Sequence, residues 1–565
     1  MVRFLFFFAA VFGGSLTPAA AQENPPVPEA PGAKATEPKK RTMKKKGYPD
    51  SPESQRQYQY KKQNRDAITW IATGDRRKAE AHFRRYLEGV PEDQEALYGL
   101  ALSLIAPDSL TEANEAVEKA LEAGVPIERF LAGPRTLTEP LFANEGFRKI
   151  LAQQPLPDLL HGPMIGNVTE NSLAFWVRTR EEARVMVRLA GAGNLEGVAQ
   201  GQSTRENDFT AVVRVKGLAP NAAYRYEVFV NGQKAPLAGQ PHIRTAPPKG
   251  TPGEWTIGFG GGAGYTPWLE KMWGTLDEAG FDRFFLLGDN VYIDTPEVKE
   301  TQRYCYYRRQ SQPLFRTFVQ RTPVLAIWDD HDFGVNDSEG GPEKKIPAWK
   351  PEVLKTFRQN WANPYYGGGF LDPGVWFHHS LGDVDFFFLD GRYYRSFDQT
   401  KENRTMLGEA QRSWLLEKLN HSTATFKFII SPVPFAPGAK GGNIAGGNID
   451  TWDGFTEERK RIFDFITEKK IDGVILLSAD RHRSDAWKLE RPGAYPLYEF
   501  TSSKLTNIHT HPVMKKSLFG YNETCSYGQL KIDTTRQNPE VTFSIHDIEG
   551  NEKHTLTIQR NALKF

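Results

Sequence analysis

The sequence predicts a multidomain protein in which a helical region and a β-sandwich precede a larger α/β layered domain. Three observations lead to this prediction. The apolar pattern is helical over 54–155, has a period of two over 156–248, and alternates strands with helices over 249–565. A chain of 565 residues also exceeds the size that one hydrophobic core usually serves, so we expect several domains.

Residues 1–21 predict a secretory signal peptide. Arg3 gives the positive start, 4–12 the apolar segment and Ala19-Ala20-Ala21 the small-residue cleavage site. The apolar segment is too short to span a membrane, and the alternative is a disordered apolar terminus in a cytoplasmic protein. Residues 22–53 are rich in Pro, Ala and Lys and predict a disordered basic linker. We therefore expect a secreted or periplasmic protein without a transmembrane segment.

The helical region, 54–155, contains a repeat. Two apolar triplets share the spacing of a tetratricopeptide helix pair: Ala79, Phe83 and Leu87, then Ala113, Val117 and Leu121. Gly74-Asp75 and Pro107-Asp108-Ser109 stand where turns between helices belong. The pattern resembles two tetratricopeptide-like repeats, which either bind a protein partner or only pack on their neighbour. The region offers no catalytic chemistry, so we expect it to contribute packing alone.

The next region, 156–248, predicts a small β-sandwich. Four segments alternate or are β-branched, with turn signals between them: 173–177, 185–189, 212–215 and 224–230. Gly217 to Asn221, before the strand with Tyr224 and Tyr226, resembles the end of a fibronectin type III-like sandwich. Since no catalytic constellation lies in it, we expect a spacer or an edge of the active-site rim.

In the last region, three apolar strands each end in polar side chains. These strands are 284–287 before Asp289 and Tyr292, 324–328 before Asp329 to Asp337, and 474–477 before Asp480 and His482. Ligands bind at the carboxyl ends of strands in open α/β sheets, so these groups should meet. Several buried carboxylates in one place imply a compensating cation.

The nature of that cation follows from the donors available. Cys305 and Cys525 match no zinc-binding spacing, and they form either one long-range disulfide or two free buried thiols. Carboxylate, phenol and imidazole donors therefore remain, and oxygen-rich sites suit calcium, magnesium, manganese or ferric iron. The net charge of +2 gives no argument for nucleic-acid binding.

Four motifs in this order resemble the PhoD-type (alkaline phosphatase D) family of calcineurin-like metallophosphoesterases. They are Gly288-Asp289-Asn290-Val291-Tyr292, Trp328-Asp329-Asp330-His331-Asp332-Phe333-Gly334, Leu389-Asp390-Gly391-Arg392-Tyr393-Tyr394-Arg395 and Ser478-Ala479-Asp480-Arg481-His482. The resemblance covers 163–565 and leaves the helical region outside. It implies a metallophosphoesterase-like layered sandwich and a metal-dependent phosphoric ester hydrolase. In such an enzyme a metal-activated hydroxide attacks the phosphorus of a monoester or diester.

The resemblance also implies a set of metal ligands: Asp289, Tyr292, Asp330, Asp480 and His482. Asp289 is expected to bridge two cations, and Tyr292 to bring a phenolate to ferric iron. Asp480 and His482 should share one face of an extended strand end, because alternate residues do so. The expected cofactors are divalent or trivalent metal ions, with iron and calcium as candidates.

The expected catalytic residues are His331, Asn336, Arg392 and Arg395. His331 would protonate the leaving alkoxide, because its ordinary pKa lies near neutrality. Asn336 would contact a metal or the phosphate, and the two arginines would hold phosphate oxygens.

Structural alternatives stand beside several of these assignments. Asp329 and Asp332 are expected to cap a helix or to orient His331 rather than bind metal. Arg392 would otherwise pair with Asp390. Trp452 is either a core aromatic or a lid over the site, and His509 with His511 is expected to be a surface pair.

One departure from the family pattern concerns Gly262. The first core strand usually delivers a metal ligand there, and glycine has no side chain. A cation is then weakly bound, replaced or absent, or else the glycine run at 260–264 is a loop shaped for close approach. The alternative to an enzyme is accordingly a non-catalytic cell-envelope binding protein with a degenerate site.

Overall fold

The computed structural model of the protein describes residues 56, 58–192, 195–398, 400–440 and 450–565. The predicted signal peptide, 1–21, and the predicted basic linker, 22–53, lie outside these residues. None of the helices in the described ranges is both long and apolar enough to cross a membrane.

Helices follow one another from residue 64 to residue 152. They are α1 (Asn64–Ala72), α2 (Arg76–Gly89), α3 (Gln94–Ser103), α4 (Leu110–Glu122), α5 (Ile127–Ala132), α6 (Arg135–Ala143) and α7 (Glu145–Ala152). One π-helical turn, Gln59–Gln63, precedes α1. The repeated apolar residues lie on the buried faces of α2 and α4, with Phe83 and Val117 fully buried. The helical prediction is confirmed, whereas the tetratricopeptide likeness stays a prediction.

Antiparallel strands form the next part of the chain. They are β1 (Leu159–Val168), β2 (Ser172–Thr179), β3 (Ala183–Gly191), β4 (Glu196–Ser203), β5 (Thr210–Lys216), β6 (Ala223–Val230), β7 (Gln233–Lys234) and β8 (His242–Arg244). One sheet has the order β1-β2-β5, and the other has the order β4-β3-β6-β7 with β8 also paired to β6. Both sheets give apolar side chains to one core, where the rings of Phe175 and Tyr226 lie 4.8 Å apart. The predicted sandwich is present, and its fibronectin type III likeness stays a prediction.

The remaining strands form two mixed sheets. They are β9 (Glu254–Gly260), β10 (Arg283–Leu287), β11 (Val324–Ile327), β12 (Phe377–Leu381), β13 (Val384–Phe388), β14 (Phe426–Ile430), β15 (Val474–Ser478), β16 (Ser484–Arg491), β17 (Ala494–Thr501), β18 (Phe519–Tyr521), β19 (Ser526–Asp533), β20 (Glu540–Asp547) and β21 (Glu552–Gln559). Their orders are β11-β10-β9-β19-β20-β21 and β12-β13-β14-β15-β17-β16-β18. In the first sheet β9, β10 and β11 are parallel, and in the second β13, β14, β15 and β17 are parallel.

The two mixed sheets pack face to face through phenylalanine side chains. Phe285 of β10 lies 5.0 Å from Phe386 and 4.9 Å from Phe388 of β13, measured between ring centroids. Phe500 of β17 stacks on Phe543 of β20 at 4.3 Å. The α/β layered domain predicted from the strand and helix pattern is therefore confirmed.

Helices lie between these strands in the chain. They are α8 (Met272–Ala279), α9 (Lys299–Ser311), α10 (Pro313–Arg321), α11 (Asp330–Phe333), α12 (Lys350–Asn360), α13 (Gly408–His421) and α14 (Thr456–Glu468), with short 3-10 turns at Pro267–Leu269, Lys401–Asn403, Trp452–Gly454 and Arg560–Leu563.

The N-terminal helices share one continuous core with the two mixed sheets. Glu95 of α3 is buried, and it accepts hydrogen bonds from Arg129 of α5 at 2.6 Å and from Tyr304 of α9 at 2.7 Å. A buried carboxylate requires such partners. Thr69 of α1 and Thr301 of α9 also share a hydrogen bond of 2.8 Å. The helical region is thus built into the α/β layered domain.

Both cysteines are buried, and neither forms a disulfide within the described residues. Of the two alternatives that the sequence left open, the structure therefore supports two buried thiols over one long-range disulfide. The thiol of Cys305 lies on α9 and donates to the backbone carbonyl of Tyr292 at 3.5 Å, so it packs beneath the loop that carries the candidate site.

Candidate active site

The loops that follow β10 and β11 are tied together by the Asp332 carboxylate. It accepts the backbone N–H groups of Asn290 at 3.0 Å, Val291 at 3.1 Å and Asp329 at 3.0 Å. Asp329 and Asp332 also form a capping box at the start of α11. The prediction that these two carboxylates act as capping groups is confirmed.

Close contact between the two loops requires glycine at position 288. Its φ is +108°, and a Cβ atom there would lie 2.5 Å from the Cβ of Asp329. The next residue, Asp289, has a left-handed φ of 53°. This bend directs the chain across the carboxyl end of β11, where α11 begins.

The first acidic group combines Asp289, Asp330 and His331, whose ligand atoms lie within 4.8 Å of one another. The Tyr292 hydroxyl donates to Oδ2 of Asp289 at 3.0 Å and accepts from the Asn507 amide at 2.7 Å. Oδ1 of Asp289 is buried without a hydrogen-bond partner among the described residues. The structure therefore brings together three of the predicted ligands with the predicted acid.

A second acidic group combines Asp330, Asp337 and Asp450, again within 4.8 Å. Oδ2 of Asp330 accepts the backbone N–H of Asp337 at 2.7 Å. Asp330 thus belongs to both groups. In the described ranges the carboxylate common to the two groups is Asp330, whereas a bridging role for Asp289 stays a prediction.

Asp480 lies beside the second group. The Arg481 guanidinium pairs with Asp480 at 2.7 Å and with Asp450 at 3.3 Å. Both Asp480 and His482 have left-handed φ values, of 63° and 46°. The expectation that they share one face of an extended strand end is wrong, because β15 ends at Ser478 and the chain turns after it.

Several buried carboxylates lie close together in the site, and their proximity affects their pKa values. Burial raises the pKa of Asp289 well above its usual range, and Asp330 and Asp329 add to the rise, although His331 opposes it. Burial likewise raises the pKa of Asp480 to about 6. A cation would relieve both effects, because it stabilises the charged carboxylates. An unpartnered buried oxygen and several carboxylates are therefore a donor set that fits a hard cation.

His331 is held by a carboxylate that the sequence analysis did not single out. Its Nδ1 donates to Oδ1 of Asp294. Burial disfavours the imidazolium, but Asp294, Asp330 and Asp289 outweigh burial and raise the pKa of His331 to about 10. The ring also lies 4.3 Å from that of Tyr292.

Two cations from the N-terminal helical region reach this site. Arg65 of α1 is buried, pairs with Oδ2 of Asp294, and donates to the carbonyl of Tyr292 at 3.2 Å. Lys61 places its amine 4.2 Å from the centroid of the Tyr292 ring. The expectation that this region contributes packing alone is therefore wrong.

The two predicted phosphate-binding arginines are committed to protein partners. Arg392 is fully buried and donates to Asp329 at 2.5 Å and to Asp450 at 2.8 Å. The structural alternative, in which the Arg392 side chain pairs with Asp390, is therefore wrong. Arg395 donates to the Gly391 carbonyl at 2.6 Å and lies 3.6 Å from Asp450. The phosphate-binding role of both arginines stays a prediction.

Asp450 therefore lies among several cationic side chains. Besides the arginines, Lys440 pairs with it at 2.8 Å. The nearby cations outweigh burial and hold the pKa of Asp450 well below its usual range. Asn336 is exposed, and it is Asp337, the next residue, that enters the second acidic group.

Three aromatic predictions are resolved by position. Trp452 is fully buried, donates to Ser431 at 3.0 Å and stacks on Phe435 at 4.8 Å, so it is a core residue and the lid alternative is wrong. His509 is exposed, His511 is partly exposed and their Nε2 atoms lie 3.0 Å apart, so the expected surface pair is confirmed. Their rings lie 4.9 and 5.5 Å from that of His482.

Gly262 follows β9 and occupies a tight position. Its φ is +69°, and a Cβ atom would lie 3.0 Å from the backbone nitrogen of Lys504 and 3.1 Å from Oγ of Ser503. Since L-residues rarely adopt this φ, the geometry favours a loop shaped around glycine over the simple loss of a ligand.

The residues that sequence reasoning missed are Asp294, Asp450, Asn507, Lys61 and Arg65. Asp450 stands two residues before Trp452, a residue already considered as a lid over the site, so proximity to Trp452 was an available signal. Lys61 and Arg65 carried none, because they lie in a helical pattern that predicts only packing.

Comparisons with known proteins agree with this geometry. A family model described as PhoD-like phosphatase matches residues 259–565, more than half of the chain, and a domain of unknown function (DUF7800) matches 156–247. Alkaline phosphatase D of Bacillus subtilis (strain 168) is 26% identical over 333 residues. That match covers 52% of this chain and 56% of the relative, so it spans little more than half of the relative's length.

Two solved structures show the same fold. The structure of PhoD is 19% identical, covers 70% of this chain and 89% of its own, and has a TM-score of 0.61. Purple acid phosphatase PPD1 from yellow lupin (Lupinus luteus) seeds is 12% identical, covers 71% and 75%, and has a TM-score of 0.52. With the motifs, the acidic groups and the matched family model in agreement, the chain belongs to the PhoD-like phosphatase family.

Proposed function

We propose that this protein is a secreted, metal-dependent phosphoesterase that hydrolyses phosphomonoesters, phosphodiesters or both. The observation that carries the proposal is the pair of acidic groups that share Asp330, with His331 beside them. Family membership supports hydrolysis of phosphate esters. Secretion is supported by the signal-like sequence at 1–21, and the N-terminus of the mature protein would test it.

Two sets of side chains would hold cations. Asp289, Tyr292 and Asp330 form one set, and Asp330, Asp337 and Asp450 form the other, with Asp480 beside it. When bound, the metal ions would polarise the phosphoryl group and offset the negative charge that develops on it. Donors that are mostly oxygens keep iron and calcium as the candidates.

His331 would supply the proton for the leaving group. Asp294 holds Nδ1, so Nε2 would be the atom that donates to a substrate. A proton donated from Nε2 to the departing alkoxide would avoid the release of a strongly basic anion. Asp294 then stabilises the imidazolium before the transfer and fixes the orientation of the ring.

The second candidate function is that of a non-catalytic cell-envelope binding protein. Gly262 favours it, since no donor side chain stands at that point of the first strand. The donors Asp289, Asp330, His331, Asp480 and His482 are all present, and the tight packing around Gly262 gives the glycine a structural reason. The enzyme therefore remains the preferred proposal.

The deciding experiment combines metal analysis with a paired substrate assay. The purified protein would be stripped of metal, reloaded with iron, calcium, magnesium or manganese, and assayed with para-nitrophenyl phosphate and bis(para-nitrophenyl) phosphate. Asp289→Asn should abolish turnover and lower the metal content. Asp464→Asn is the matched control, because that carboxylate is half exposed and, among the described residues, pairs with Lys460 on α14. Binding of no metal and hydrolysis of neither ester would sink the proposal.

A further inference from the structure

Lys61 reaches the candidate site although it comes from the helical region. Its amine lies 4.2 Å from the centroid of the Tyr292 ring. The carboxylates whose charge acts on it most strongly are Asp294, Asp289 and Asp330. The charge of the Lys61 amine also acts on His482 and His509. The amine thus lies on the Tyr292 ring and within electrostatic range of Asp289 and Asp330, two of the groups proposed to hold metal.

The segment around Lys61 is fixed on both sides. Tyr60 is buried, and its carbonyl accepts from Arg308 of α9 at 3.1 Å. Arg65, one helical turn later, is anchored on Asp294 and on the carbonyl of Tyr292. The buried contacts of Tyr60 and Arg65 therefore determine where the amine lies over Tyr292.

The amine itself has spare hydrogen-bonding capacity. Within the part of the chain that the structure describes, it forms no hydrogen bond and no ion pair, although its side chain is half-buried. A lysine amine carries three donors. By contrast, the neighbouring Lys62 is exposed and pairs with Asp66 at 3.1 Å.

We propose that Lys61 forms a phosphate subsite that favours phosphomonoesters over phosphodiesters. This inference rests on the proposed phosphoesterase function and names the substrate class of the same site. The second ionisation of a phosphate ester has a pKa of roughly 6, so a monoester is close to doubly charged at neutral pH. A diester carries one charge and a second bulky substituent. An additional amine donor beside the metal ligands therefore discriminates between them.

The proposed subsite comes from outside the ranges that the two family models match in this chain. The two matched family models cover 156–247 and 259–565. Lys61 and Arg65 precede both ranges. The helical region is thus the part of the chain that sets substrate preference at a site whose ligands belong to the family domain.

The test compares Lys61→Met and Lys61→Arg with Lys62→Met in the metal-loaded full chain. We expect Lys61→Met to lower kcat/KM for para-nitrophenyl phosphate by roughly 10- to 100-fold, the range of a hydrogen bond to a charged group. The inhibition constant of inorganic phosphate should rise by a similar factor. The diester bis(para-nitrophenyl) phosphate should lose much less, Lys61→Arg should recover part of the loss, and Lys62→Met should match the wild type.

Each outcome bears on one proposal. An equal loss on both esters, or unchanged phosphate inhibition with unchanged metal content, would overturn the subsite. If the wild type hydrolyses neither ester, the phosphoesterase proposal fails by itself. Titration calorimetry with inorganic phosphate then still decides on Lys61, because the subsite requires weaker binding by Lys61→Met than by Lys62→Met.

Discussion

Oδ1 of Asp294 accepts a hydrogen bond from Nδ1 of His331, and its other oxygen pairs with Arg65. The proposed proton donor is therefore oriented by a carboxylate, which is itself anchored by the first helix of the chain. Arg65, Asp294 and His331 thus connect the helical region to the proposed proton donor.

The first prediction concerns Asp294. Asp294→Asn removes the charge that favours the imidazolium, so turnover should fall by up to roughly 10²–10⁴-fold, the full contribution of a general acid. Alkyl phosphates, with poor leaving groups, should lose more than para-nitrophenyl phosphate. Metal content should remain. A uniform loss across leaving groups, accompanied by loss of metal, would contradict the assignment.

The second prediction concerns Arg65. Arg65→Met leaves Asp294 partly unpaired in a buried setting, which should lower the free energy of unfolding by up to about 3 kcal/mol and also lower kcat. Denaturant unfolding and steady-state kinetics would measure both. Arg77→Met on α2 is the control, because that side chain is exposed. Wild-type turnover in a folded chain that lacks the helical region would refute this dependence.

The third prediction follows from the shared carboxylate. If Asp330 serves both acidic groups, Asp330→Asn should release more metal than Asp289→Asn or Asp450→Asn. Elemental analysis after dialysis against a limiting metal concentration would show the order, with Asp464→Asn as the unaffected reference. Equal losses from the three variants would argue against two sites with a common ligand.

The fourth prediction concerns Gly262. Gly262→Cys places a side chain at a left-handed φ and against the Lys504 backbone, so we expect a loss of stability of about 1–3 kcal/mol and no gain of bound iron. Gly217→Ala separates the two causes. Gly217 has a φ of +76°, but a Cβ atom added there would meet nothing within 4 Å, so only backbone strain should appear. An active Gly262→Cys variant with tighter iron binding would reverse this conclusion.

The fifth prediction concerns pH and the buried His161 and His379. Burial lowers the pKa of each well below its ordinary value. Below about pH 6.5 the unfolded chain takes up protons that the folded chain does not. Stability should therefore fall with decreasing pH, by up to about 1.4 kcal/mol per pH unit for each histidine.

Chemical denaturation between about pH 5 and about pH 7.5 would measure this slope. His161→Gln and His379→Gln should each reduce it, whereas the exposed His421→Gln should leave it unchanged. An acid slope that neither buried variant alters would mean that other groups cause it.

The sequence predicted those parts of the fold that depend on local pattern. Strands at 284–287, 324–328 and 474–477 were recognisable because short apolar runs stop at polar residues. Parallel strands end at one edge, so the meeting of Asp289 with Asp330 and His331 could also be predicted.

Contacts between distant segments left no comparable signal. Arg65 and Asp294 are separated by 229 residues, and nothing in either neighbourhood indicates the other. The prediction for Asp480 and His482, which follow β15, was wrong for a different reason. Asp480 and His482 adopt left-handed φ values in a turn, so the rule for alternate residues of a strand does not apply.

The anchoring of α1 on the active-site loop has a consequence for folding. A contact that closes a loop of more than two hundred residues is entropically costly and forms only when the intervening chain is largely ordered. We therefore expect His331 to acquire its final orientation late, when α1 docks. Phosphatase turnover would therefore report on completion of the whole fold, and partly folded chains with ordered sheets but an undocked first helix would be inert.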